Sequence, residues 1–193
     1  MKLCDINIRD PFILPYEGKY YMYGTRGVNC WGNEPLDFMG FDVYISSDLE
    51  NWSEPIAVFE NSDSFWADRN FWAPEVHKYG DKFYMFASFK DGERCRGTQI
   101  LVSSAPDGEF EPISKYPVTP DNWECLDGTL YIDKNNKPHI VFCHEWTQIK
   151  DGTVCEMMLS DDLSQAISEP RTLFAGSNPY WANGLQIRQT VRR

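Results

Sequence analysis

Short runs of aromatic and aliphatic residues recur along the chain, separated by polar turns. The clearest run begins with a lysine, follows a turn of Gly, Asp or Asn, and occurs three times, at residues 19–23, 82–86 and 137–142. Runs of this length that are rich in Tyr, Phe, Ile and Val are typical of strands, and such turns suit tight hairpins. The pattern therefore predicts many short antiparallel strands.

A third and a fourth strand repeat in the same order. The third strand is predicted at residues 43–48, 100–105 and 157–162. Each copy is followed by a Glu-Pro pair and a short fourth strand, predicted at 57–59, 117–118 and 172–174. Ser47, Ser104 and Asp161 follow one another at intervals of 57 residues. Four strands per repeat at this period are typical of propeller blades, and the alternative is a meander whose copies are similar by chance.

The predicted fold is an all-β propeller domain, residues 1–193, with four-stranded antiparallel blades. The three blades are expected at about 8–60, 71–119 and 126–175, and a tail at 176–193. Three blades do not close a ring, because propellers use about four to eight. A fourth inner strand is expected near residue 184, but the chain ends soon afterwards, and no Asp or Glu follows Glu169. We therefore expect a C-terminally truncated chain; the alternative is a short protein that closes its ring by oligomerisation.

Composition excludes several classes of protein. Aromatic residues make up 15% of the chain, which excludes a disordered chain and argues against a simple helical bundle. The net charge of -11 is a poor electrostatic match to nucleic acid, so no nucleic-acid partner is predicted. No apolar run approaches the roughly 20 residues that span a bilayer, so no membrane association is predicted. The first six residues lack an apolar signal region, which predicts a cytoplasmic location.

The cysteines give no sign of a metal site. No two of them have the CxxC spacing typical of structural zinc. Free thiols in a reducing compartment are therefore predicted for all six, which are Cys4, Cys30, Cys95, Cys125, Cys143 and Cys155.

Two aspartates occupy equivalent places at the start of predicted inner strands. The repeat aligns Asp10, Ala73 and Asp127. Inner strands of propeller blades line the central channel, so Asp10 and Asp127 should face one cavity from different blades. Paired carboxylates across a cleft are what glycoside hydrolysis requires, one as base and another as acid. The alternative is structural, because Asp-Pro and Asp-Gly pairs also initiate turns.

The chain resembles glycoside hydrolase family 43 over roughly residues 5 to 180. The resemblance lies in Arg9-Asp10-Pro11, the aromatic strand after Gly80, and three further stretches. Those stretches are residues 71–76, 123–130 and 142–146. The resemblance implies a five-bladed propeller, of which about three blades are present here, that acts on arabinose- and xylose-containing glycans.

The resemblance also implies an inverting mechanism with three carboxylates. Asp10 matches the general base that activates water, and Asp127 matches the residue that orients the acid and modulates its pKa. The family's general acid is a Glu of the fourth blade, and this chain departs from that pattern because Glu169 is its last carboxylate side chain. Glu145 is the local candidate for the acid, because it lies between His144 and Trp146; the alternative is a Glu in a hydrogen-bond network or facing solvent.

The predicted function is therefore an inverting glycosidase that cleaves α-L-arabinofuranosyl or β-D-xylosyl linkages in a carbohydrate substrate. One alternative is a catalytically impaired or glycan-binding propeller fragment that lacks the general acid. A weaker alternative is a sister propeller family that acts on fructans or mannosides. The oligomeric state is left open.

Further residues are candidates for substrate binding. Trp66, Trp72 and Trp146 could stack on sugar rings, or they could pack in the core. Asp68 and Arg69 could contact sugar hydroxyls or form a surface ion pair.

The remaining candidates bear on ions in the channel. Glu75 could point into the channel or pair with Lys78. His77 and His144 could bind a channel ion or a water, although their spacing is not typical of a metal site. No cofactor is required by the predicted chemistry, and a channel calcium ion is left open.

Overall fold

The computed structural model of the chain describes residues 1–27, 30 and 39–182. This part contains three four-stranded antiparallel sheets, and in each sheet the strands lie side by side in chain order. The predicted all-β fold with four-stranded antiparallel blades is confirmed. The stretch around residue 184, where a fourth inner strand was expected, lies outside the described residues.

Blade one follows a short 3-10 helix at Leu3–Asp5. Its strands are β1 (Ile8–Tyr16), β2 (Lys19–Arg26), β3 (Gly40–Ser46) and β4 (Ile56–Glu60). Glu17 and Gly18 both have positive φ angles, 48° and 75°, in the two-residue turn between β1 and β2. That geometry matches the twist of the hairpin and explains the Gly at this point.

Blades two and three repeat this arrangement. Blade two contains β5 (Arg69–Tyr79), β6 (Lys82–Lys90), β7 (Gly97–Ser103) and β8 (Glu111–Pro112). Blade three contains β9 (Cys125–Ile132), β10 (Pro138–His144), β11 (Thr153–Met158) and β12 (Arg171–Ala175). A four-residue helix, α1 (Trp146–Ile149), lies between β10 and β11.

The fourth strand of blade two differs from the prediction. It was expected at residues 117–118, but β8 pairs with β7 at Glu111 and Pro112 instead. Val118 still donates its backbone N–H to the Thr98 carbonyl, at 3.0 Å. The prediction was wrong because a single hydrogen bond beside a proline does not extend into a ladder.

Neighbouring blades pack through their apolar faces. A cluster of five phenylalanines joins blades one and two, with ring centroids 4.9–6.2 Å apart. Its members are Phe41, Phe59, Phe65, Phe71 and Phe89. A second buried cluster joins blades two and three through Phe86, Ile100, Ile140 and Phe142. The order of the blades is therefore fixed by burial of sheet against sheet.

Two further observations complete the description of the fold. All six cysteines lie in the described part and are free thiols. None of the helices in the described ranges is long and apolar enough to cross a membrane.

Replacing Phe89 by Ala should destabilise the fold by about 3–5 kcal/mol, because Phe89 is fully buried and contacts four other phenylalanine rings. Phe174→Ala is the matched control, since that side chain is 47% exposed. It should change stability by less than about 1 kcal/mol. Urea unfolding followed by tryptophan fluorescence measures both. Equal losses in the two variants would contradict packing of blade one on blade two.

Candidate active site

Each inner strand carries the same two-residue bulge near its beginning. In every blade two residues of the inner strand oppose one residue of the second strand, at Gly24, Ala87 and Phe142. The first residue of each bulge has a left-handed backbone, with φ of 50° at Asp10, 45° at Ala73 and 54° at Asp127. Non-glycine residues rarely adopt this conformation, and bulges of this kind redirect side chains. The repeat therefore gives Asp10 and Asp127 equivalent backbone geometry in different blades.

Asp10 and Asp127 line one cavity together with Trp72 and Glu145. The cavity has a volume of about 170 Å³ and is also lined by Arg9, Thr25, Cys30 and Leu126. A water molecule takes up about 30 Å³ in the liquid, so several waters fit. Four of the residues predicted for the site are thus brought together by elements of all three blades.

Asp10 is held through a threonine that links two blades. The Thr25 hydroxyl, near the end of β2, donates to the Asp10 carboxylate at 3.4 Å and accepts the backbone N–H of Ala73 at 2.8 Å. The position of Asp10 in blade one is thereby tied to the bulge of blade two. Asp10 itself is exposed, so that water can reach its carboxylate.

Asp127 has a carboxyl group whose pKa is raised by its surroundings. Its backbone N–H donates to the Ser88 hydroxyl of blade two, at 3.1 Å. Partial removal from bulk water, together with the negative charges of Asp10, Glu75 and Glu145, raises the pKa of Asp127 to about 6. A carboxyl group of this kind exchanges a proton near neutral pH, which is a property of acid–base sites.

Glu145 directly precedes α1 and is already engaged as a hydrogen-bond acceptor. The Arg96 guanidinium donates to its carboxylate at 2.6 Å, and the Thr147 hydroxyl donates to the same oxygen at 2.9 Å. This geometry corresponds to the alternative of a Glu in a hydrogen-bond network. The acid role of Glu145 stays a prediction.

Trp72 forms one wall of the cavity. Its indole N–H donates to the Cys30 carbonyl at 2.6 Å, and the Arg96 guanidinium lies over the ring at 4.4 Å from the centroid. The indole is therefore fixed both by an in-plane hydrogen bond and by a cation on one face.

Glu75 lies outside the cavity wall, in a cluster on the inner strands. His77 contacts the Glu75 carboxylate and the Thr129 hydroxyl, each at 3.3 Å. Burial raises the pKa of Glu75, but hydrogen bonds from His77 and Thr129 outweigh it and leave that pKa below its usual value. Lys78 donates to the Gly80 carbonyl, so it is not the partner of Glu75.

Three other predicted residues lie just before β5 or at its first residue and do not line the cavity. Trp66 packs beside the phenylalanine cluster and donates its indole N–H to Gln99, which matches the core-packing alternative. Arg69 and Asp68 form a two-point ion pair, at 2.7 and 3.1 Å, which matches the surface-pair alternative.

His144 and Trp146 flank Glu145 in sequence but are not part of the cavity wall. His144 is buried, stacks on Trp123 at 4.1 Å and hydrogen-bonds Gln148 at 2.7 Å. Trp146 begins α1 and is 53% exposed.

The described residues do not form a metal site by themselves. Within residues 1–27, 30 and 39–182, no group of three or more His, Cys, Asp or Glu is arranged to hold an ion. His77 is engaged by Glu75 and Thr129, and His144 by Gln148. The channel calcium ion, which the sequence left open, is not tested by these contacts.

Sequence reasoning missed Arg96 and Thr25. Arg96 directly precedes β7 and Thr25 lies near the end of β2. In an up-and-down sheet the first residues of odd strands and the last residues of even strands lie at the same end of the sheet. The positions of Arg96 and Thr25 in the repeat could therefore have placed both at the end that carries Asp10 and Asp127.

Comparison with known proteins gives the family. A family model described as Glycosyl hydrolases family 43 matches residues 4–189. The chain therefore belongs to glycosyl hydrolase family 43. The crystal structure of an endo-arabinase from Bacteroides thetaiotaomicron is similar, with 36% identity and a TM-score of 0.81 over 92% of this chain and 59% of that one.

Two curated relatives are similar over shorter stretches. "Extracellular endo-alpha-(1->5)-L-arabinanase 1" of Bacillus subtilis is 25% identical over 74% of this chain and 45% of its own length. "Xylosidase/arabinosidase" of Bacteroides ovatus is 27% identical over 64% of this chain and 42% of its own length. The chain thus spans less than half the length of these two relatives.

The comparisons correct one prediction. Two arabinanases of Bacillus subtilis that the chain matches are named extracellular. The cytoplasmic location predicted from the first residues is therefore wrong. The physical reason is that the absence of an apolar segment within a stretch of chain says nothing about a sequence that could precede it.

The Asp127 carboxyl should titrate near pH 6 in the folded chain and near its usual value of 3.8 in urea. Between these two values the folded state binds more protons than the unfolded state, so the free energy of unfolding should fall as pH rises through this window. Asp10→Asn should lower the titration midpoint, because it removes a neighbouring negative charge. Carbon-13 NMR of the side-chain carboxyls measures the midpoint. Asp81→Asn, in the turn at the far end of β5, is the control. If it lowered the titration midpoint of Asp127 as much as Asp10→Asn does, the assignment would be contradicted.

Proposed function

We propose that this chain carries the base and the central carboxylate of a glycosidase that acts on arabinan- or xylan-type glycans. The observation that supports this function is the cavity of about 170 Å³, in which Asp10 and Asp127 meet from equivalent bulges of two blades. Membership of family 43 supplies the reaction class, and the geometry supplies residues that suit it.

Asp10 is proposed as the general base. It lies on an exposed bulge at the cavity, where a water molecule can approach its carboxylate. Inverting hydrolysis needs room for a water between the base and the sugar, and a cavity that holds several waters supports that mechanism.

Asp127 is proposed as the residue that adjusts the protonation of the site. Its carboxyl, with a pKa of about 6, lies among other carboxylates, so a change in its charge alters the protonation of its neighbours. This supports a role beside the acid rather than as a second base.

The proposed substrate is an α-linked arabinofuranosyl chain, with β-xylosyl linkages as the second choice. Arabinose is favoured because the structure with 36% identity is titled an endo-arabinase and the Bacillus relatives are named arabinanases. Xylose is the second choice because the Bacteroides ovatus relative is named a xylosidase/arabinosidase. Trp72 offers a fixed indole in the cavity wall, which suits contact with the apolar face of a sugar ring.

A specific contact favours the second candidate function, glycan binding without efficient hydrolysis. The ion pair between Glu145 and Arg96 engages the local candidate for the acid. A site with base and pocket but without a proton donor would still bind its glycan.

The two functions are separated by two substrates of the same sugar. One is an aryl arabinofuranoside with an acidic phenol, which leaves with little proton donation, and the other is an arabino-oligosaccharide. Hydrolysis of both shows a complete site; hydrolysis of the aryl substrate alone shows a base and pocket without an acid. Asp10→Asn should reduce turnover by about 10²–10⁴-fold in either case. Unchanged turnover in Asp10→Asn would remove Asp10 as the base.

Glu145→Gln tests the remaining acid candidate in the same assay. Because Arg96 already holds the carboxylate, we expect kcat/KM to fall by a similar factor for both substrates. A loss confined to the oligosaccharide would instead assign Glu145 the acid role. Glu111→Gln, an exposed substitution in β8, is the control.

The stereochemistry of the product tests the proposed mechanism. Proton NMR during early turnover of an α-arabinofuranoside should show the β-anomer first, because direct attack by water inverts the anomeric carbon. Appearance of the α-anomer first would rule out the inverting mechanism.

A further inference from the structure

Arg96 reaches from blade two across the rim of the cavity to blade three. It directly precedes β7, and its side chain is only 11% exposed. The guanidinium donates to Glu145 at 2.6 Å and to the Asn70 side-chain oxygen at 3.3 Å, while its plane lies over Trp72. One side chain therefore contacts two members of the cavity wall, Trp72 and Glu145.

A second carboxylate, that of Glu124, also interacts with Arg96. Glu124 accepts the backbone N–H of Arg96 at 3.1 Å and lies 3.9 Å from its guanidinium. Lys90 donates to the other oxygen of Glu124. Two cations and two carboxylates thus form a balanced network between blades two and three, as partly buried charges require.

We propose that Arg96 is a positioning residue of the site. Its guanidinium fixes the indole of Trp72 and the carboxylate of Glu145, and it supplies the positive charge that opposes the carboxylates around Asp127. The effect of Arg96 on hydrolysis rests on the proposed function. Its effects on the positions of Trp72 and Glu145 and on the pKa of Asp127 do not.

The charges that face Asp127 come from all three blades. Asp10 on β1, Glu75 on β5 and Glu145 before α1 are negative and act to raise the pKa of Asp127, while Arg96 acts to lower it. The Cys143 thiol on β10 also lies near Asp127, and burial raises its pKa to about 11, so it is neutral. Without Arg96 the Asp127 carboxyl would hold its proton to higher pH.

Arginine and lysine differ in what they can do at this position. A guanidinium can stack on an indole while donating within its plane to Glu145 and Asn70, whereas an ammonium is a point charge that cannot stack. Arg96→Lys should therefore keep the opposing charge and lose the fixation of Trp72. Arg96→Met should lose both, and the two effects can be measured separately.

The test uses two NMR signals of the whole chain and needs no turnover. The first is the titration midpoint of the Asp127 carboxyl, assigned with Asp127→Asn. The second is the indole N–H of Trp72, assigned with Trp72→Phe. Arg96→Met should raise the midpoint by roughly one pH unit and shift or broaden the indole signal. Arg96→Lys should move the indole signal and leave the midpoint near its native value.

Arg94→Met is the matched control. Arg94 lies two residues away in the same loop, and its guanidinium lies over Tyr116 at 3.9 Å, but it does not line the cavity. It should leave both signals unchanged. A folded Arg96→Met variant with an unchanged midpoint or an unchanged indole signal would overturn the proposal. If that variant does not fold, Arg96→Lys decides: a moved Trp72 signal supports the proposal and an unmoved one overturns it.

The outcome for the proposed function is read independently. A chain that hydrolyses neither the aryl nor the oligosaccharide substrate, yet shows both NMR changes, would overturn the hydrolase and leave the role of Arg96 intact. If the chain hydrolyses its substrate but Arg96→Met leaves both NMR signals unchanged, the proposed hydrolase function stands and the role of Arg96 is overturned.

Discussion

The packing of one sheet face on the next is the interaction on which the site depends. The phenylalanine cluster packs β3 and β4 of blade one against β5 and β6 of blade two, and the apolar cluster around Phe86 and Phe142 packs blade two against blade three. Asp10 belongs to blade one and Asp127 to blade three, and both of these blades pack on blade two. Two hydroxyls make the polar connection, since Thr25 links Asp10 to Ala73 and Ser88 accepts the Asp127 backbone. Apolar burial thus brings the carboxylates together, and hydrogen bonds refine their positions.

Gathering carboxylates in one cavity has an electrostatic cost that the surroundings moderate. Asp10, Asp127 and Glu145 share the wall, and burial, followed by repulsion from the neighbouring carboxylates, raises the pKa of Asp127. Arg96 and Lys90 lie behind the rim and are paired with Glu145 and Glu124. Arg96 contacts the cavity wall at Trp72 and Glu145, and Asp10 and Asp127 are the other two carboxylates that line the cavity. Carboxylates grouped in this way suit acid–base chemistry.

The repeat made the fold and the two aspartates predictable from sequence, because the polar turn and aromatic strand mark each hairpin locally. The directions in which side chains point at the ends of strands were less predictable. Glu145 reaches the cavity while His144 beside it stacks on Trp123, since neighbouring residues of an extended chain point to opposite sides. Arg96 was missed because its partner Glu145 lies on another blade, and the rotation between blades is set by packing over the whole sheet. The short β8 was misplaced because its ladder has only two pairs.

The left-handed bulge has a consequence for how such a protein can change. The same backbone conformation occurs at the equivalent position of all three inner strands, although an L-residue adopts it at a cost of roughly 1–2 kcal/mol. Two of these positions carry Asp and the third carries Ala73. Because each blade retains the strained conformation whatever side chain it bears, the scaffold and the chemistry are encoded separately. A single codon change at such a position can add or remove a reactive group without rebuilding the main chain, which makes duplicated blades a ready source of new active-site arrangements.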